Sequence, residues 1–524
     1  MAVVSRLRER RKVLLVNPNQ VKPPVVPIAL DYLADALVQS GFRVDVLDLC
    51  FSSDVKRDIA RYSPGNEVLA VAVTVRNSIA EYFPCNDVLA VAVTMRNSDD
   101  TSFATRDFCI AHYREVVDLL KAHTSAPIIL GGSGFSIAPE QVLEYCGVDL
   151  GIWGEGELSL PDLVGKMATN QDWSDVPGLI YRSQSGFRRN PPKYMVLSRV
   201  PASSRSAVDN RRYFVEGGMG AVETKRGCPK KCIYCVDPVG KGRRVRVRSP
   251  RSVAAEVRTL LHMGIDHLHL CDSEFDIPEK HARELCQELA AHGLGEKIRW
   301  YTYATPAGFS PELAALARRA GCVGINFGAD SGCDSMLKAL GRDFSVADIE
   351  RAAEACRREG IVTMFDLLLG GPGETRETLR QSIETMKRLS PDGVGASLGV
   401  RVFPGTKMVD IVRGQGPLKS NPNLHGSLSG NDSFFAPVFY LSSELGTDAV
   451  DYLVELIGGD ERFFFFGTAG GADKNYDYND NTVLVDAIKA GYRGAFWDIL
   501  RRLSGQTWME PCSVATPVAT DRPS

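Results

Sequence analysis

Between Lys225 and Pro238 the sequence reads KRGCPKKCIYCVDP, with Cys228, Cys232 and Cys235 separated by three and then two residues. Thiolates this close together bind soft metals. A structural zinc takes four protein ligands, commonly from two separated pairs, and no second CxxC or HxxxH pair is present to complete such a set. Three thiolates on one tight loop can instead bind three irons of a [4Fe–4S] cluster and leave the fourth iron open to an outside ligand. The missing fourth cysteine is then the working position.

A loop of this kind needs a rigid frame, and the chain offers two. With 524 residues it exceeds one compact core, so several domains are expected. Residues 1–165 alternate strand and helix: KVLLVNP (12–18), ALDYLADALVQSG (29–41), RVDVLDL (43–49), APIILGGSGFS (126–136) and VDLGIWGEGE (148–157). Short apolar runs separated by amphipathic segments imply a doubly wound, Rossmann-like parallel sheet, with its ligand beyond the C-terminal ends of the strands. A tandem duplication lies inside it, 62–81 and 82–101, identical at 13 of 20 positions. Two copies are too few for a repeat fold, so one copy holds a sheet position. The second, running on into Asp99 and Asp100, is the better candidate.

A linker is expected over 166–215. From 216 the alternation resumes, with strands at 220–226, 267–272, 298–304, 323–329, 362–371 and 393–402, which implies a partial (βα)6 barrel to about residue 410. Residues 411–504 read as a mixed C-terminal domain capping the substrate site, and 505–524 as a disordered tail. The class is therefore α/β. The cysteine triplet falls directly after the first barrel strand.

That placement, with Tyr234 before the last cysteine, resembles the radical S-adenosylmethionine (SAM) superfamily. The resemblance implies that the open iron chelates SAM and that an electron from the cluster cleaves it. It also implies SAM contacts from Tyr234, from Glu274 in CDSEFD, from Tyr303 ending the third strand, from Asp330 in GADSGCD and from Gly371 in LLLGGPGET. At Asp330 related sequences carry Glu, so the carboxylate here reaches less far. The preceding domain, with VNP, GGSGFS and GEGE, is similar to the cobalamin-binding domain of the B12-dependent radical SAM enzymes. By that likeness Asn17, Pro18, Gly131, Gly132, Ser133, Gly134, Glu155 and Gly156 contact the cobalamin. The loop after the first strand, NPNQVKPPVVP, has no histidine, so cobalamin is expected without a histidine ligand. Arg96, just after the strand of the second repeat copy, resembles the RN-x-D element of one subgroup and is expected under the corrin, where a cation disfavours the more positive states of cobalt; Arg76 in the first copy competes for that role.

The resemblance covers most of the chain and extends to the natural-product C-methyltransferases, including the tryptophan 2-methyltransferase type. It implies a methyl group passed from SAM through cobalamin to a carbon of a small molecule, aromatic or amino-acid-derived; a rearrangement or cyclisation without methyl transfer is the alternative. The RFFFFG cluster (462–467), with Tyr476 and Tyr478, reads as core or pocket lining, and Arg401 at the sixth strand end as a carboxylate holder. A flavodoxin or ferredoxin reductant and a monomeric state are expected. A net charge of −3 argues against nucleic acid, and no run approaches the roughly 20 apolar residues of a membrane span. No signal peptide is read, and 13 irregularly spaced cysteines fit the reducing cytoplasm.

Overall fold

The structure is a computed structural model that describes residues 12–61, 88–465 and 480–504. The first repeat copy with Arg76, Tyr476, Tyr478 and the 505–524 tail lie outside the described residues.

The first sheet has seven strands in the order β2-β1-β3-β4-β5-β6-β7. These are β1 (Lys12–Asn17), β2 (Arg43–Asp48), β3 (Val88–Thr94), β4 (Ile128–Gly131), β5 (Leu150–Ile152), β6 (Leu179–Ser183) and β7 (Gly186–Arg189). The strands β2, β1, β3, β4 and β5 pair in parallel. Central β1 is apolar without a break because both of its faces are covered. Val13 and Leu15 face a core with Leu30, Leu37 and Leu163 from helices Ile28–Gln39 and Gly156–Ala168. Leu14 and Val16 face the opposite core, with Val116, Val117 and Leu120 of helix Cys109–His123. That is the doubly wound arrangement, and the second repeat copy supplies β3.

The stretch 166–215 is not a plain linker. It carries β6 and β7, which add an antiparallel hairpin to the sheet edge. It also carries Arg205, fully buried, which pairs with Glu256 and lies 3.6 Å from Asp31. A buried guanidinium between carboxylates of two domains ties helix Ile28–Gln39 to helix Pro250–His262.

The second sheet is an open, fully parallel barrel wall in the order β19-β15-β14-β13-β12-β11-β8. Its strands are β8 (Gly220–Val222), β11 (His267–Leu270), β12 (Arg299–Ala304), β13 (Cys322–Asp330), β14 (Val362–Leu369), β15 (Gly393–Leu398) and β19 (Phe463–Phe465). A separate short antiparallel ribbon of β9 (Lys225–Arg226) and β10 (Arg246–Val247) follows β8 and precedes β11 along the chain. The six anticipated strands are present. The seventh, β19, comes from the RFFFFG cluster: Phe463 and Phe464 are core, while Phe465 lines a cavity. So residues 411–504 contribute the last strand of the barrel wall. A small sheet of β16 (Val400–Arg401), β17 (Leu424–Gly426) and β18 (Val438–Tyr440) sits beside it. Among the described residues no helix is long and apolar enough to cross a membrane.

Candidate active site

The β9–β10 ribbon closes residues 227–245 into one loop that carries all three cysteines. Gly227 turns into it with φ +92°, and a side chain there would run into the Arg244 carbonyl. The loop is pinned at its middle: the Ile233 amide donates to Leu340 O at 3.1 Å, and its carbonyl accepts from the Met408 amide at 2.9 Å. Cys228 is buried, Cys232 and Cys235 are partly so, and all three are free thiols. Burial pushes each thiol above its ordinary range, Cys235 to about 12, while Arg342 beside Cys232 pulls that one back. Three unpaired thiols on a held loop suit a cluster bound through three irons. Among the described residues no three His, Cys, Asp or Glu side chains converge on a single ion.

A buried polar group stands against this loop. Arg342 Nη1 donates to Cys232 Sγ at 3.0 Å; its guanidinium lies 3.3 Å from Asp330 Oδ2 and 3.9 Å from Glu274 Oε1. Tyr234 donates its hydroxyl to the same Asp330 oxygen. Thus Tyr234, Glu274 and Asp330, read from three separate segments, do come together. Burial pushes the Glu274 carboxyl up to about 8, opposed by Arg342. Arg342 itself was missed by the sequence reading, since it follows the GADSGCD motif by a helix and a turn and has no motif of its own. Gly371 lines neither cavity: its amide donates to Glu374 Oε2 at 3.3 Å, and a Cβ there would sit 2.9 Å from Leu340 Cδ2.

Two cavities lie between the strand ends of the first sheet and the barrel. The narrower, about 210 Å³, is lined by Gly131, Gly132, Ser133, Glu155 and Gly156, with Leu15, Ala92 and Ile152 beneath. The wider, about 500 Å³, is lined by Arg96, Ser133, Val236, Asp237, Tyr303, Asn326 and Asp366, with Phe103, Phe403, Phe465 and Phe496. Ser133 Oγ donates to the Arg96 carbonyl at 2.6 Å. Tyr303 stands edge-on to His269, with ring centroids 5.2 Å apart, and burial holds that imidazole down to about 4, with Arg96 adding to the effect.

Several expected roles change. A Cβ on Gly134 would be 2.5 Å from the Asn97 carbonyl carbon, and one on Gly132, at φ +101°, would strike the Met95 carbonyl. These glycines let the β4 loop pack on the loop bearing Arg96. Asn17 and Pro18 line neither cavity. The Asn17 amide donates to Asp48 Oδ1 (2.9 Å) and the Tyr213 hydroxyl (3.0 Å), and Pro18 O faces His112 Nε2 at 3.2 Å. Arg401 is no open carboxylate site: its Nε lies 3.0 Å from Asp99 Oδ2, and both are buried. Asn326 and Asp366 were also missed, although each is a polar residue inside an apolar strand, a readable signal.

Residues 222–386 match the Radical SAM superfamily. Over 93% of its length the chain is 32% identical to the tryptophan 2-C-methyltransferase of Streptomyces laurentii, covering 95% of that protein. The chain belongs to the cobalamin-dependent radical SAM methyltransferases. Its fold agrees with that membership. It superposes with TM-score 0.83 and 32% identity on the radical SAM methyltransferase TsrM from Kitasatospora setae with tryptophan and a SAM analogue bound, covering 94% of this chain and 97% of that one. A TsrM structure with cobalamin and a [4Fe–4S] cluster superposes with TM-score 0.81 and 30% identity over the same shares. As a member of this family the chain is an enzyme.

Proposed function

We propose that this enzyme moves a methyl group from SAM, by way of bound cobalamin, to a carbon of a small aromatic, amino-acid-derived acceptor, with tryptophan as the first candidate. The observation that carries the reading is one cavity lined from three sides. Arg96 and Ser133 come from the first sheet, Val236 and Asp237 directly follow the last cysteine, and Tyr303, Asn326 and Asp366 come from the barrel interior.

In this reading Cys228, Cys232 and Cys235 hold the cluster, and Tyr234, Glu274 and Asp330, organised by Arg342, form the SAM side of the loop. Gly131, Gly132, Ser133, Glu155 and Gly156 hold the cobalamin tail in the narrower cavity, and Arg96 lies under the corrin. When bound, the corrinoid supplies a cobalt centre that can take up and pass on a methyl group, and the cluster supplies an electron. The chain's own residues then do three things. Arg96 places a positive charge where it disfavours the more oxidised metal. Phe103, Phe403, Phe465 and Phe496 exclude water from the space between the domains. Tyr303 and the neutral His269 present an edge-to-face pair beside the acceptor's position. An external reductant such as flavodoxin or ferredoxin, a monomeric state and a cytoplasmic location complete the proposal.

The test is an anaerobic incubation of cluster- and cobalamin-loaded enzyme with methyl-deuterated SAM and tryptophan. Label in a C-methylated product is the expected result. An unlabelled product with stoichiometric 5′-deoxyadenosine would overturn methyl transfer in favour of a rearrangement.

A further inference from the structure

Two adjacent strands of the barrel place a pair of polar side chains against the wider cavity. Along β13, Ile325 and Phe327 point outward into the helix-side core, which turns Asn326 inward. Along β14, Phe365 and Leu367 point outward, which turns Asp366 inward. In register, Asp366 has Gly328 beside it on β13 and Gly395 beside it on β15. Neither neighbouring strand carries a side chain beyond Cα at that level, and both Asn326 and Asp366 line the cavity.

Asn326 is 5% exposed and donates Nδ2 to Asp366 Oδ2 at 2.8 Å. That bond fixes the amide's orientation and leaves its Oδ1 as a buried acceptor to which no group among the described residues donates. A buried acceptor without a donor has lost its water without a replacement, so the site favours a ligand that brings N–H groups. The walls above it are Phe403, Phe465, Phe496 and Tyr303, which suit a flat apolar body.

We propose that Asn326 and Asp366 form a recognition site for the ammonium group of the methyl acceptor, and that this site selects aromatic primary amines over otherwise identical compounds lacking the amine. The proposal rests on the methyl-acceptor reading of the same cavity and specifies how the acceptor is held. The ammonium gives one N–H to Asn326 Oδ1 and another to the Asp366 carboxylate. The ring then lies among the phenylalanines, on the side of the cavity that faces Arg96.

Holoenzyme carrying cluster and cobalamin is titrated anaerobically by calorimetry with L-tryptophan, with tryptamine, and with 3-(indol-3-yl)propionate, which differs from tryptophan only by the absent amine. Charge-assisted hydrogen bonds of this kind predict a preference of about 10- to 100-fold for tryptophan over indolepropionate. Asp366→Asn should bring the two ligands level, whereas Asn326→Asp, which keeps an acceptor at both positions, should retain the preference. Because the readout is a ratio between two ligands on one preparation, partial misfolding of a variant lowers both affinities and leaves the ratio unmoved. The proposal is overturned if wild-type enzyme binds tryptophan and indolepropionate equally, if it binds neither amine, or if Asp366→Asn keeps the wild-type ratio. Methyl transfer is followed on the same samples. Label reaching tryptophan with no amine preference removes only the ammonium site. Amine preference without label in any product supports the ammonium site and removes methyl transfer.

Discussion

Replacing Arg401 by Met tests whether its charge is structural. Arg401 is 5% exposed and Asp99 2%, and their side chains meet at 3.0 Å across the two sheets. The guanidinium also donates to the carbonyls of Val402, Phe434 (3.2 Å), Phe435 (3.3 Å) and Val438 (3.4 Å). Removing one member of a buried ion pair strands the other charge, at about 3–5 kcal/mol. The carbonyls add less than a full bond each, since Val438 O keeps the Val402 amide as a donor. A total near 5 kcal/mol is expected for Arg401→Met, read as a fall in urea midpoint of the apoprotein followed by intrinsic fluorescence. Adding Asp99→Asn removes the stranded charge, so the double variant should be more stable than Arg401→Met alone. Asp99 is three residues from Arg96, so cobalamin binding, followed by corrin absorbance, should weaken in parallel. A loss under about 1 kcal/mol, within the range of a surface pair, or a double variant less stable than the single, would refute the ion-pair account. Unchanged stability with a raised KM for the acceptor would restore Arg401 as a substrate residue.

Gly134→Ala and Gly132→Ala should each displace the loop bearing Arg96 and weaken cobalamin binding; titration of corrin absorbance decides. Arg342→Met leaves Asp330, Glu274 and Cys232 without their shared cation, so iron bound per chain after reconstitution should fall, with Arg342→Lys restoring only part because it cannot reach several partners at once. Glu374 is buried, with its carboxyl pushed from 4.5 up to about 7 by burial, so the folded state holds this proton more tightly than the unfolded one. Its destabilising effect is absent below the unfolded value and grows as pH rises through that window, so Glu374→Gln should gain on the wild type by up to about 3 kcal/mol between pH ~4.5 and pH ~8, measured by urea denaturation.

The cluster loop and the six barrel strands were legible because their signals are local: close thiols in one segment, and apolar runs long enough to be strands. What failed was whatever depends on a partner far away in sequence. Gly134 looked like part of a ligand cradle because a glycine loop shows freedom but not what approaches it; the approaching group is the Asn97 backbone. Arg401 looked available because its counter-charge, Asp99, lies 302 residues earlier. Asn17 looked like a cofactor contact from its place at a strand end, yet its amide is spent on Tyr213, 196 residues on. The strand β19 is three residues of phenylalanine, too short for periodicity to separate from core packing.

These long-range partners share a design. The corrinoid-side sheet and the barrel meet through Asp99–Arg401, Asp31–Arg205–Glu256 and Glu157–Arg226, all largely buried and each drawing members from both units or their connection. Against hydrophobic replacements such pairs add little net stability, but each demands one relative position, because a slip strands a charge. Apolar packing would tolerate small sliding between the two sheets. An enzyme that must hand a one-carbon group across a cavity lined from both sides cannot, because a shift of about 1 Å in a reacting pair can cost on the order of 100-fold in rate. The Arg226–Glu157 pair is the tightest expression of this, since Arg226 is two residues before Cys228 and Glu157 follows the Glu155–Gly156 turn that lines the narrower cavity. The loop that carries the thiols and the turn that lines the narrower cavity are therefore set against each other by one guanidinium, so neither can shift without stranding a buried charge.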